Sequence, residues 1–246
     1  MVVDWQVETL RISVFPEDID SVSPSKLWEM HIGEPEPEVI IQPGSTNRRN
    51  AKYRNGEIYL VKTRSQIDWR YVLPLEDTAN ENDLPAWGNL ELELTGFLEF
   101  SQSFLQKPSI LPVNRLAFGA VLMRPAKNLL TTCEHLAGLL PRFDLEDVAE
   151  FNYLINRRRR SSFVEDLHIN RLSRWAAVTL ERNTSTLDPV VDGELNPIKR
   201  LFASRVELDI NTVPVHGTQL PSELLMNLFQ ELVDMGKRIT QEGDVS

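Results

Sequence analysis

Residues 7–14 read VETLRISV, with Leu10, Ile12 and Val14 on one side and Arg11 and Ser13 on the other. Alternation of this kind belongs to a half-buried strand. Asn55-Gly56 is a strong turn signal, followed by the apolar runs 58–63 and 66–73. In the second run Ile67, Trp69, Tyr71 and Leu73 share one face while Asp68 and Arg70 take the other, so a hairpin or meander is expected. Over 88–106 the period changes. Leu90, Leu94, Phe97, Leu98, Phe104 and Leu105 fall at three- and four-residue intervals, which predicts an amphipathic helix. Val113–Met123 is almost continuously apolar and reads as a central strand covered on both faces.

A second helix is predicted over 127–140, through Leu129, Leu130, Cys133, Leu136 and Leu140, closed by Pro141. The stretch 145–160 reads either as a short helix over 145–153 or as a strand over 152–160. Residues 167–182 form one or two strands around Trp175, and 201–213 alternate clearly, with Arg205, Glu207 and Asp209 facing outward. Pro221–Thr240 carries a leucine stripe behind a first-turn proline and predicts the last helix. The five prolines of 16–56 predict mostly loop there, with an edge strand near 39–41. Residues 74–87 and 183–199 read as loops.

Strands therefore come in groups, separated by helices at irregular intervals. The fold class this predicts is α+β: an antiparallel or mixed sheet with helices packed on one face. The order also divides into two halves, a strand-rich 1–106 with a closing helix and 107–246 with its own C-terminal helix. They read as two related units or as one continuous domain.

Composition adds exclusions. The 246 residues carry 36 acids and 26 lysines and arginines, a net charge of −10, which repels polyanions as a whole. A single cysteine, Cys133, rules out an intrachain disulfide and a cysteine metal cluster. The N-terminal stretch has no basic start followed by an apolar run, and no apolar segment is long enough to span a bilayer, so the expected location is the cytoplasm, with no membrane partner.

Phosphate-cradling glycine loops and nucleophile elbows are missing, and His31, His135, His168 and His216 are too far apart for a short-spaced metal pair. Cys133 and His135 stand roughly 200° apart on their helix and point away from one another. No cofactor, metal or catalytic residue is expected, although His168 beside Asp166 would be the base if there were one. Glu207 and Asp209 stand roughly 7 Å apart on the outward side of one strand, the spacing from which a cation-dependent nuclease site would have to be built.

One local anomaly remains. Residues 156–182 hold seven arginines against three acids, while 76–99 hold seven acids and no lysine or arginine. The run Arg157, Arg158, Arg159 and Arg160, with Arg171, Arg174 and Trp175, is the candidate interaction patch. It suits a protein partner or a second copy of the chain better than nucleic acid, which is the alternative. The Asn-Arg pairs suggest structural ties between strand ends: Asn114, Arg115, Asn170 and Asp209, with Arg115 or Arg171 reaching Asp209.

The phrases YRNGEIYLVKTRSQIDWRY at 53–71, LELTGFLEF at 92–100, PVNRLAFGAVLMRP at 112–125, INRLSRW at 169–175 and VELDINTVP at 206–214 resemble a sporadically distributed, functionally uncharacterised family of prokaryotic proteins of similar length. The resemblance spans most of the chain and brings no catalytic residue with it. It implies a partner-binding subunit in a mobile-element or defence setting.

Overall fold

The structure, a computed structural model, describes residues 4–33, 40–42, 45–72, 84–86, 88–106, 112–183, 198–214 and 219–244. Among the described residues nine strands form one antiparallel sheet: β1 (Gln6–Pro16), β2 (Ile40–Gln42), β3 (Ser45–Tyr53), β4 (Gly56–Lys62), β5 (Ile67–Val72), β6 (Val113–Ala126), β7 (Asn152–Arg160), β8 (His168–Asn183) and β9 (Ile198–Thr212). Their order is β2-β3-β4-β5-β1-β6-β9-β8-β7. Four α-helices of the described residues accompany it: α1 (Pro24–Ile32), α2 (Leu90–Leu105), α3 (Leu129–Leu139) and α4 (Leu225–Glu242).

The helices share one side of the sheet. Register sets a row there of Arg49, Leu60, Trp69, Ile12, Phe118, Ile210, Arg171 and Arg157. Helix α1 stacks Trp28 on Trp69 with centroids 6.0 Å apart, and α2 lays Phe100 and Phe104 edge-on to the same indole. Over the other half, Gly236 of α4 lies so close to Phe118 that an added Cβ would stand 2.8 Å from its ring. Helix α3 meets the same side where Ser204 Oγ donates to the Thr132 carbonyl at 3.2 Å. The α+β architecture with helices on one face thus follows from the alternation of each strand, which supplies a single apolar side. A register shift between Val7 and Thr9 lets Val7 and Leu10, three residues apart, both enter the core.

Each half follows the same path. A central strand (β1 or β6) leads to a helix (α1 or α3). A meander then returns from the sheet's edge inward (β3-β4-β5 or β7-β8-β9), and a second helix (α2 or α4) follows. The short β2 is an addition to the first half. The central strands pair antiparallel, Ile12 opposite Phe118, so the halves share one sheet and one apolar core.

Two expectations need correction, and one open alternative is decided. The stretch 16–56 is not mostly loop, because Pro24 occupies a first-turn position, Ser23 Oγ accepts from Lys26 N–H at 3.4 Å, and Gly33 closes α1 in the left-handed conformation at φ 73°. Residues 45–53 are a strand, while the acidic 34–38 lies outside the described residues. Of the two readings for 145–160 the strand holds, as β7. Helices cover strand β6 on one face only: on its other side Arg115 and Val121 are partly exposed, and only toward its far end is Met123 packed under Leu84 and Ala86. The loops read at 74–83 and 184–197 lie outside the described residues, as do Leu73 and His216.

Candidate functional site

The side of the sheet opposite the described helices carries a recess of about 400 Å³, lined from six adjacent strands, β5 through β7. Its floor is one register row: Arg70, Arg11, Gly119, Asp209 and Leu172. The next row brings Thr9, Val121, Glu207, Arg174 and Leu154. At one end, Leu84 and Ala86 pack on Met123 and Ala203 and close off that part of the face as a small second core.

Gly119 shapes the floor. An added Cβ would lie 2.9 Å from Arg11 Nε and 3.0 Å from its Nη2, so the guanidinium crosses directly over the β6 backbone. That path carries it from β1 to Asp209 on β9, Nη2 to Oδ1 3.8 Å. The same Asp209 Oδ1 accepts from Asn211 Nδ2 at 3.1 Å, Asn211 Oδ1 from Asn170 Nδ2 at 3.1 Å, and Asn170 Oδ1 from Arg158 Nε at 3.0 Å. A polar chain therefore runs from edge strand β7 to β1. Beside it, Arg205 bridges Glu8 (Nε to Oε2 3.1 Å) and Glu207, and Arg174 stands 3.9 Å from Glu207. Arg70 donates to the fully buried Asp68 at 2.8 Å.

Two donors in this assembly are unfilled. Arg11 Nε and Arg70 Nε are buried and meet no acceptor among the described residues. A guanidinium N–H without an acceptor costs more than a neutral one, since charge-assisted bonds are about twice as strong.

Strand alternation divides the arginine patch that the sequence suggests. Arg158 and Arg160 share the recess side with Arg174, whereas Arg157, Arg159, Arg171 and Trp175 lie on the helix side. Trp175 is 0% exposed, packed against Trp5, and its Nε1 donates to Ser173 Oγ at 3.1 Å, so it is a core residue and not an interface aromatic. The tie to Asp209 comes from Arg11 rather than from Arg115 or Arg171. Arg115 stacks over the Phe15 ring at 4.7 Å, and Arg171 is buried on the opposite face. Asn170 and Asp209 do join one chain of contacts, while Asn114, next to Arg115 at the start of β6, lies outside it. The partner Arg11 left no local signal, because strand β6 lies between it and Asp209 and only register brings residues so distant in sequence together.

Other reactive groups stay apart from the recess. Cys133 is buried, and burial pushes its thiol pKa up. Burial pushes that of His135 down. His168 begins β8, near its edge partner Arg160. Glu207 and Asp209 share a side as expected, but both are engaged by arginines. Among the described residues no group of three His, Cys, Asp or Glu could hold a metal ion, and no helix is long and apolar enough to cross a membrane.

Comparisons with models of protein families, with curated proteins and with solved structures give no match to this chain.

Proposed function

We propose that this is a non-enzymatic protein-binding or assembly subunit, and that it engages its partner through the open sheet face. The observation that carries this reading is the row of half-exposed guanidinium groups lining the recess, Arg70 and Arg174 above all, beside exposed Leu154. Their outward N–H groups can take carboxylates or carbonyls from outside. Interleaved Asp209 and Glu207 would repel a continuous polyanion, so the complementary surface is one of mixed charge with acidic side chains at intervals, as proteins present. The family resemblance points the same way, to a subunit of a prokaryotic complex in a defence or mobile-element setting.

The test is capture on the immobilised full chain from its host, scored by quantitative mass spectrometry in parallel for wild type, Arg11→Gln/Arg174→Glu, and a helix-side control, Leu92→Ser. A partner retained by wild type and control but lost at least tenfold by the recess variant supports the reading. Equal retention by all three overturns it. So does salt-dependent gel retardation of nucleic acid by the wild type, which would establish the alternative. Light scattering of the pure protein decides whether the partner is a second copy.

A further inference from the structure

The helix-covered face ends in arginine at its β7 edge. Arg171 of β8 stands in register between Ile210 and Arg157, and is 6% exposed. Strand alternation places Arg159 on the same side, one step along β7. Arg238 approaches from α4, and Asp244 from the residues just after it. Asp244 is already committed. Its Oδ1 accepts from Arg157 Nε at 2.7 Å, and its Oδ2 from Arg157 Nη2 at 2.9 Å and from the Tyr153 hydroxyl at 3.0 Å. Arg142 acts on the same carboxylate. Glu231, earlier on α4, is taken up by Ser161 and Ser162.

Arg171 is thus left over. Its Nε is buried and meets no acceptor among the described residues. Burial, and then the charges of Arg159, Arg238 and Arg157, push its pKa down, with only Asp244 acting the other way. A buried guanidinium N–H without an acceptor is costly. A protein whose net charge is −10 nevertheless sets Arg157, Arg159 and Arg238 about Arg171, with Asp244 the carboxylate that acts on it.

We infer that this cluster is an oxyanion site that takes a phosphate group, with Arg171 as its floor and exposed Arg159 and Arg238 as its rim. A tetrahedral dianion offers enough oxygens for several guanidinium forks at once, and its double charge answers the surplus of cations. The site is on the opposite side of the sheet from the recess, so it stands or falls independently of the proposed partner surface.

Thermal melting and calorimetric titration of the full chain test it, in phosphate-free buffer with sodium chloride holding ionic strength constant. Inorganic phosphate should raise the wild-type Tm saturably, and Arg171→Met should abolish that rise. Should Arg171→Met not fold, Arg159→Ala/Arg238→Ala keeps the test, because both side chains are exposed: in chloride it should melt as wild type does, and it should bind phosphate roughly tenfold more weakly. Glycerol 3-phosphate run in parallel separates a free ion from a phosphomonoester; saturable binding of either supports the site. If neither probe shifts wild type beyond the chloride control, or the double variant responds as wild type does, the inference fails.

Discussion

At residue scale the recess depends on a missing side chain. Gly119 lets the Arg11 guanidinium lie across β6, and no larger residue leaves that path open. In Gly119→Ala the Cβ would meet only the end of a flexible side chain, so Arg11 is displaced and the fold is kept; alanine also suits a strand slightly better than glycine. The expected outcome is a Tm within about a degree or two of wild type together with loss of partner capture, checked by melting and by the capture assay. A large drop in Tm would mean that the Arg11 path is structural instead. Residue types alone made Asn170 and Asp209 legible as tying groups, because amides and carboxylates on strands seek neighbours. They did not reveal Arg11. Trp175 shows the opposite failure: an indole among arginines reads as a surface feature, and only the face on which its strand places it shows that it is core.

At the scale of elements, legibility follows how each segment satisfies its apolar side. Helices α2, α3 and α4 carry stripes that the sequence displays, and their bounds fall within a few residues of expectation. Helix α1 was hidden because proline counted as a breaker, although at a first turn it is tolerated. Strand β3 was hidden by its polar sequence, STNRRNAKY, natural near a sheet edge where only the inner side is covered. Strand β7, at the other edge, is held by a clasp: Arg157 and Tyr153 grip Asp244 beyond α4. Arg157 beside Asp244 holds that carboxyl below the usual carboxylate range, against the contrary pull of partial burial. A lowered folded pKa means that the clasp contributes fully above the unfolded value and is lost as pH falls through the folded one. Asp244→Asn should therefore lower Tm by a few degrees at pH 7 and raise amide exchange in β7, and the gap from wild type should close as pH drops below about 4. A gap unchanged at acid pH would show that the ionised carboxylate contributes nothing.

For the whole molecule the question is whether two halves with one path behave as two units. The order of elements shows the division in the sequence; the junction is not visible there, because strand pairing between positions such as 12 and 118 leaves no local pattern. That junction is extensive. Strand β1 pairs with β6 along most of its length, Phe97 of α2 meets Phe229 of α4 with centroids 6.4 Å apart, and Trp5 Nε1 donates to the Thr240 carbonyl at 3.0 Å. Phe118 lies at its centre, against Phe229 and under Gly236. Phe118→Ala should cost about 3–5 kcal/mol. Because one core crosses the junction, that cost should appear as lost hydrogen-exchange protection in β4 and β5 as well as in β8 and β9, within a single unfolding transition. Protection lost only in the second half, or two resolved transitions, would mean that the shared sheet joins two independently stable units. A partner seated on β5 through β7 would then have to hold together a surface that the fold alone does not fix.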